Sequence, residues 1–107
     1  MPVISIKSES QLERTIHKGG IVVLDFWAPW CQPCKRIGTE LTSMSRAFGP
    51  SVTFAKVNID EQMDIAETYQ VHSLPTLLVI RDGRTVGKVI GANLEKLVKT
   101  IERAIRA

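Results

Sequence analysis

The run Ile21-Val22-Val23-Leu24-Asp25-Phe26-Trp27 is apolar almost without interruption, the pattern of a strand covered on both faces. Such a strand belongs in the middle of a sheet with helices on either side. Its neighbours in the chain supply the other layers. Val3 to Ile6 is a short β-branched run, followed by Ser8-Glu9-Ser10-Gln11, where Ser8 and Gln11 have capping-box spacing. The helix that starts there ends at Gly19-Gly20. After Cys34, the positions Ile37, Leu41, Met44, Ala47 and Phe48 recur at steps of three and four, one buried stripe of a helix that ends near Gly49-Pro50.

Val52 to Ile59 reads as a further strand, and Asp60 to Tyr69 as a short helix with Met63, Ala66 and Tyr69 on one side. Leu77 to Ile80 and Thr85 to Ile90, joined by Asp82-Gly83, suit a hairpin. Asn93 caps a last helix with the stripe Leu94, Leu97, Val98, Ile101 and Ile105. The predicted order is β-α-β-α-β-α-β-β-α, an α/β chain with a largely parallel sheet, helices on both faces and a closing antiparallel hairpin. At 107 residues, with no linker or repeat, positions 1–107 are expected to form a single domain.

With 44% apolar and 23% charged residues, a packed core is expected rather than disorder. The 14 Lys and Arg against 11 Asp and Glu are scattered, which argues against nucleic acid as a partner. No apolar stretch approaches the roughly 20 residues of a bilayer span. The first residues, Met1-Pro2-Val3-Ile4-Ser5-Ile6-Lys7, lack the basic head and apolar stretch of a secretory signal, so a cytoplasmic location is expected. In a reducing cytosol a close cysteine pair such as Cys31 and Cys34 points to catalysis or metal binding rather than a staple.

Cys31-Gln32-Pro33-Cys34 lies where the central strand gives way to a helix, the end of an open α/β sheet at which ligands gather. Residues three apart on a helix share a face, so the two sulfurs come within reach of a disulfide. Pro33 suits the first turn, where its missing N–H has no helical partner. Free N–H groups and the dipole at a helix start favour a thiolate. Cys31, nearer that end and nearer solvent, reads as the nucleophile, and Cys34, one turn inside, as the resolving thiol. Competing readings are half a zinc site completed by His17 and His72, a structural disulfide, and two buried free thiols. The flanking tryptophans and Pro33 favour redox chemistry.

Asp25 interrupts an apolar strand six positions before Cys31, and desolvation raises the pKa of a buried, incompletely paired carboxyl. It reads either as a proton acceptor near neutral pH or as an acid capping a turn.

Asp25-Phe26-Trp27-Ala28-Pro29-Trp30-Cys31-Gln32-Pro33-Cys34-Lys35, Lys56-Val57-Asn58-Ile59-Asp60, Leu74-Pro75-Thr76 and Asp82-Gly83 together resemble the thioredoxin family, in order and along essentially the whole chain. The resemblance implies a thioredoxin fold, a central mixed sheet flanked by helices, and protein-disulfide reductase activity. It implies no bound cofactor: thioredoxin reductase, drawing on NADPH, would restore the dithiol, and oxidised proteins would be the substrates of a monomer. Carried over residue by residue, Asp25 assists deprotonation of Cys34, with Lys56 beside it; Lys56 reads otherwise as a snorkelling surface lysine. Pro75 matches a cis-proline that packs on the disulfide and leaves the Leu74 backbone open to a substrate peptide. Trp30, Pro33, Leu74, Gly91 and Ala92 match the apolar rim around the sulfurs, with Gln32 beside them. For Leu74 a core role competes, and for Gly91 a tight turn.

This sequence departs from the family at Gln32, usually Gly, and at Thr39, often a helix-kinking proline, with Gly38 able to soften the helix instead. His72 is a third unusual position. Two other functions compete: a thiol oxidase or isomerase on the same fold, against which Pro33 argues by standing where such proteins favour His, and a binding or chaperone module that does not use its thiols.

Overall fold

A computed structural model describes residues 2–107. The elements are β1 (Ile4–Ser5), α1 (Glu9–His17), β2 (Ile21–Trp27), α2 (Gln32–Phe48), β3 (Val52–Asn58), α3 (Met63–Thr68), β4 (Thr76–Arg81), β5 (Arg84–Ile90) and α4 (Leu94–Arg106). The five strands lie in the order β1-β3-β2-β4-β5, which puts the apolar run of β2 at the centre. β1, β3 and β2 pair in parallel; β4 runs antiparallel to β2, and β5 to β4. The sheet is therefore mixed, and less parallel than its alternating elements suggested. α3 has six residues and spans about 9 Å. β3 has seven and spans about 23 Å, so the connection does not carry the chain back along the sheet, and β4 starts at the end where β3 stops.

Alternate residues of the central strands face opposite layers. Val23, Phe54 and Val79 pack under α2 and α4, against Ile37, Leu41, Leu97 and Ile101. Val22, Leu24, Phe26 and Val57 face α1 and α3, against Leu12, Ile16 and Ile65. The helix starts follow the capping residues of the sequence: the Gln11 N–H donates to Ser8 Oγ (3.1 Å) and the Lys96 N–H to Asn93 Oδ1 (3.0 Å). Gln11 Oε1 accepts from the Lys7 N–H (2.6 Å) and its Nε2 donates to Ser5 O (3.1 Å), fastening α1 to the end of β1.

Three positions of the expected apolar stripes face water. Met63 is 71% exposed, because α3 begins there and turns Ile65 and Ala66, rather than Met63, onto the sheet. Ile105 is 45% exposed, because the buried face of α4 advances through Leu97 and Ile101 to Ala104. Ala47 lies on the outer side of α2. Tyr69 falls just beyond α3, half-buried, with its ring 5.8 Å from that of Phe26.

Candidate active site

The chain leaves β2 at Trp27, whose carbonyl accepts from the Ile59 N–H (2.9 Å), tying the ends of β2 and β3 together. Ala28 to Trp30 make a turn closed by the Cys31 N–H on the Ala28 carbonyl (3.1 Å). Cys31 is the N-cap of α2, and Pro33 sits in the first turn. A side-chain acceptor is what a helix start lacks. Here the acceptor is sulfur: Cys31 Sγ takes the Cys34 N–H at 3.2 Å. The two cysteines form a disulfide with their Cα atoms 5.3 Å apart. Both are buried, Cys31 6% and Cys34 2% exposed, so the edge of the disulfide open to solvent belongs to Cys31.

Ala28 lies against the pair, with Trp27, Ile59 and Leu74 packed around it. The Leu74–Pro75 bond is cis, and the buried Pro75 accepts the Gly91 N–H on its carbonyl (2.8 Å). Gly91 has φ +92°, a backbone conformation that a side chain would strain. This fits the tight-turn reading of Gly91. Leu74, likewise, is half-buried rather than a core residue. Trp30 is 68% exposed, and its indole Nε1 donates to Asp60 Oδ2 (3.1 Å). Gln32 and Ala92 are exposed and Pro33 half-buried. His72 is exposed, and His17 lies in α1 beside Glu13. Among the described residues, no group of three or more His, Cys, Asp and Glu comes together as a metal site.

Beneath the start of α2 a cavity of about 320 Å³ is lined by Asp25, Trp27, Cys34, Thr39 and Lys56, among others. Asp25 and Lys56 reach it from neighbouring strands, where they are register partners. Asp25 caps no turn, and its Oδ1 is buried without a hydrogen-bond partner. Burial pushes the carboxyl up from 3.8 to about 7, against the opposing pull of the Lys56 charge. Lys56 is half-buried, its ammonium 5.3 Å from the centre of the Trp27 ring. Its stem does not merely cover surface; it brings a positive charge to the acid.

Two residues of the site escaped the sequence reading: Ile59, which packs against the disulfide, and Asp60, which accepts from the Trp30 indole. Both follow the C-terminal end of β3, directly beside that of β2, and the Asp60 N–H is held by Asn58 Oδ1 (2.9 Å). That shared strand end was the signal available. The arrangement couples a disulfide whose outer sulfur meets solvent at a helix start to a buried acid able to exchange a proton near neutral pH.

Comparison with known proteins agrees with this geometry. The family model for thioredoxin matches residues 3–103. The thioredoxin of Mycoplasma pneumoniae is 43% identical over 89 residues, covering 83% of this chain and 86% of that protein. Thioredoxin-1 of Saccharomyces cerevisiae is 38% identical, covering 85% and 87%. Among solved structures, a poplar thioredoxin h superposes with a TM-score of 0.92 at 30% identity, covering 100% of this chain and 99% of that one. A thioredoxin of Fasciola hepatica gives 0.91 at 36% identity, covering 95% and 99%. A helix whose N-cap is one half of a disulfide, on a sheet shared from end to end with these proteins, places the chain in the thioredoxin family, as a dithiol–disulfide oxidoreductase.

Proposed function

We propose that the chain is a protein-disulfide reductase in which Cys31 attacks and Cys34 resolves. The Cys31 thiolate attacks one sulfur of a substrate disulfide; that S–S bond breaks, a mixed disulfide forms, and the other substrate sulfur leaves as thiolate. Cys34 then loses its proton to the Asp25 carboxylate through the shared cavity and attacks the Cys31 sulfur. The Cys31–Cys34 bond forms, the second substrate sulfur leaves, and two electrons have passed to the substrate. The observation that carries this assignment is the Cys34 N–H on Cys31 Sγ at the helix start. A donor held there stabilises negative charge on that sulfur.

In this reading Lys56 keeps Asp25 partly ionised at neutral pH. Trp30, Gln32, Pro33, Leu74, Pro75, Gly91 and Ala92 contact the substrate, the exposed ones through side chains and Leu74 through its backbone. Thioredoxin reductase, spending NADPH, restores the dithiol, and no cofactor is held. The chain acts as a single domain and a monomer in the cytoplasm, where a reducing environment keeps the pair ready to donate. One relative, thioredoxin-3 of Saccharomyces cerevisiae, is named as mitochondrial.

The test is a pair of substitutions. Cys31→Ser is expected to abolish reduction of an insulin-type disulfide, and Cys34→Ser to accumulate as a mixed disulfide with its substrate. Normal turnover by Cys34→Ser, or faster alkylation of Cys34 than of Cys31, overturns the assignment. Equilibration with a glutathione series separates a reductant from an oxidase or isomerase on the same fold.

A further inference from the structure

At the opposite end of β4 from Pro75, a groove of about 350 Å³ runs between β5 and α4. Arg81, Lys88, Lys96 and Arg103 line it, from three different elements, and among the described residues no Asp or Glu does. Arg81 is paired with Asp82 Oδ2 (3.8 Å), which leaves Lys88, Lys96 and Arg103 as the unpaired cations of the groove.

Arg81 has a structural task there, donating to the carbonyl of Ala104 and to the terminal carboxylate of Ala107, which also lines the groove and is neutralised by this contact. Arg103, in the last turn, complements the helix dipole. Lys88 and Lys96 have no such role. Among the described residues neither they nor Arg103 has a carboxylate within ion-pairing distance. Lys96 stands in the first turn of α4, where the dipole opposes a cation. Gly87 and Thr100 form the floor, and the glycine is what lets α4 lie so close: a Cβ there would meet Thr100 Cγ2 at 2.2 Å. Uncompensated like charges converging on a groove repel one another, and an anion relieves that repulsion.

The geometry points to a binding site for a polyvalent phosphate anion, with two or more linked phosphates, held by Lys88, Lys96 and Arg103. Lys96 and Arg103 are seven residues apart on one face of α4, about 10 Å along the axis. Flexible side chains reaching inward from that spacing match a chain of phosphates better than one.

Inorganic tripolyphosphate, titrated at constant ionic strength, is the probe. Saturable binding is expected, with amide shifts centred on Gly87, Lys88 and Thr100. Lys88→Gln and Lys96→Gln should each weaken it by at least about threefold. Lys99→Gln, which removes a charge paired with Glu95 on the same helix, should not. Unchanged disulfide reduction confirms that each variant is folded. Lack of saturation up to about 5 mM, a weak affinity even for a small ligand, overturns the site. So does equal weakening by Lys99→Gln, or capture of an oligoglutamate peptide without tripolyphosphate binding, which would make the groove a protein contact.

Discussion

Asp25 and Lys56 are register partners on parallel strands and line the same cavity, yet they form no ion pair. The ammonium lies over the Trp27 ring instead, and one carboxylate oxygen keeps no partner. A buried acid in close ion pair would be held ionised. An acid with a cation near but not bonded to it is left able to take a proton and give it back, which resolution by Cys34 requires.

The acid has a cost in stability that depends on pH. Its carboxyl titrates at about 7 in the folded chain against 3.8 as a free side chain. The folded state therefore holds the proton over a range where the unfolded state has lost it. With respect to this group, stability is intact below pH about 4 and falls progressively up to about 7. At about 1.4 kcal/mol per unit, the full loss is at most about 4 kcal/mol. Asp25→Asn removes the charge and keeps the shape, so the oxidised variant should gain about 2 to 4 kcal/mol at pH 8 and little at pH 4. Urea unfolding at both pH values checks this; an equal gain at both would mean that ionisation is not the cause.

Lys56→Met keeps an apolar stem over Trp27 and removes the charge that opposes the rise of the Asp25 pKa. The acid should then titrate still higher, and its ionised fraction at neutral pH should fall. Resolution of a mixed disulfide is expected to slow at pH 7 and recover at higher pH, while alkylation of Cys31 is unaffected. A pH profile that coincides with that of the parent protein would remove Lys56 from the mechanism.

Much of this was legible in the sequence because the signals are local. Ser8 and Asn93 announce their helices by the cap hydrogen bonds they make, and the two-sided apolar pattern of β2 announces its central place. Asp25 was conspicuous as the one charge in that strand. What escaped depends on tertiary placement. Periodicity put Met63 on a buried face, but the face of so short a helix is set by where it begins. Asp60 reads as the start of a short helix until β3 is set beside β2, which brings its carboxylate to the Trp30 indole. The direction of β4 hinges on the length of the α3 connection, which no strand pattern encodes. The basic groove joins Arg81, Lys88, Lys96 and Arg103 from three elements, whereas along the chain the same charges look scattered.

Gly87 gives a sharp packing prediction. Gly87→Ala would drive a methyl group into Thr100 Cγ2, and Thr100 is held in place by the hydrogen bond that its Oγ1 donates to the Lys96 carbonyl (2.7 Å). A destabilisation of about 1 to 3 kcal/mol is expected, the usual cost of an overfilled core. Thr100→Ser removes the offending methyl, leaving the next contacts, Thr100 Cβ and Val79 Cβ, at an ordinary 3.7 Å. The double variant should therefore recover most of the loss in thermal or urea unfolding. Additive losses would place the role of Gly87 in its backbone rather than in the space beside it.

Gln32 is the residue that most separates this active-site turn from the usual Cys-Gly-Pro-Cys. Its side chain is exposed on the first residue of α2, so it neither fills the core nor brings a formal charge to the sulfurs. Gln32→Gly would cost the helix less than the roughly 1 kcal/mol of an interior position, because Gln32 is its first residue. That cost falls on oxidised and reduced forms alike and largely cancels in the redox equilibrium. The Cys34 N–H on Cys31 Sγ, Pro33 in the first turn and Leu74 packed on the pair all remain. The reduction potential is expected to move by about 30 mV or less, equivalent to about 1.4 kcal/mol for a two-electron couple. Such a shift leaves a reductant a reductant. Equilibrating both proteins against the same glutathione series measures the difference, and a shift several times larger would show that position 32 sets the poise of the couple.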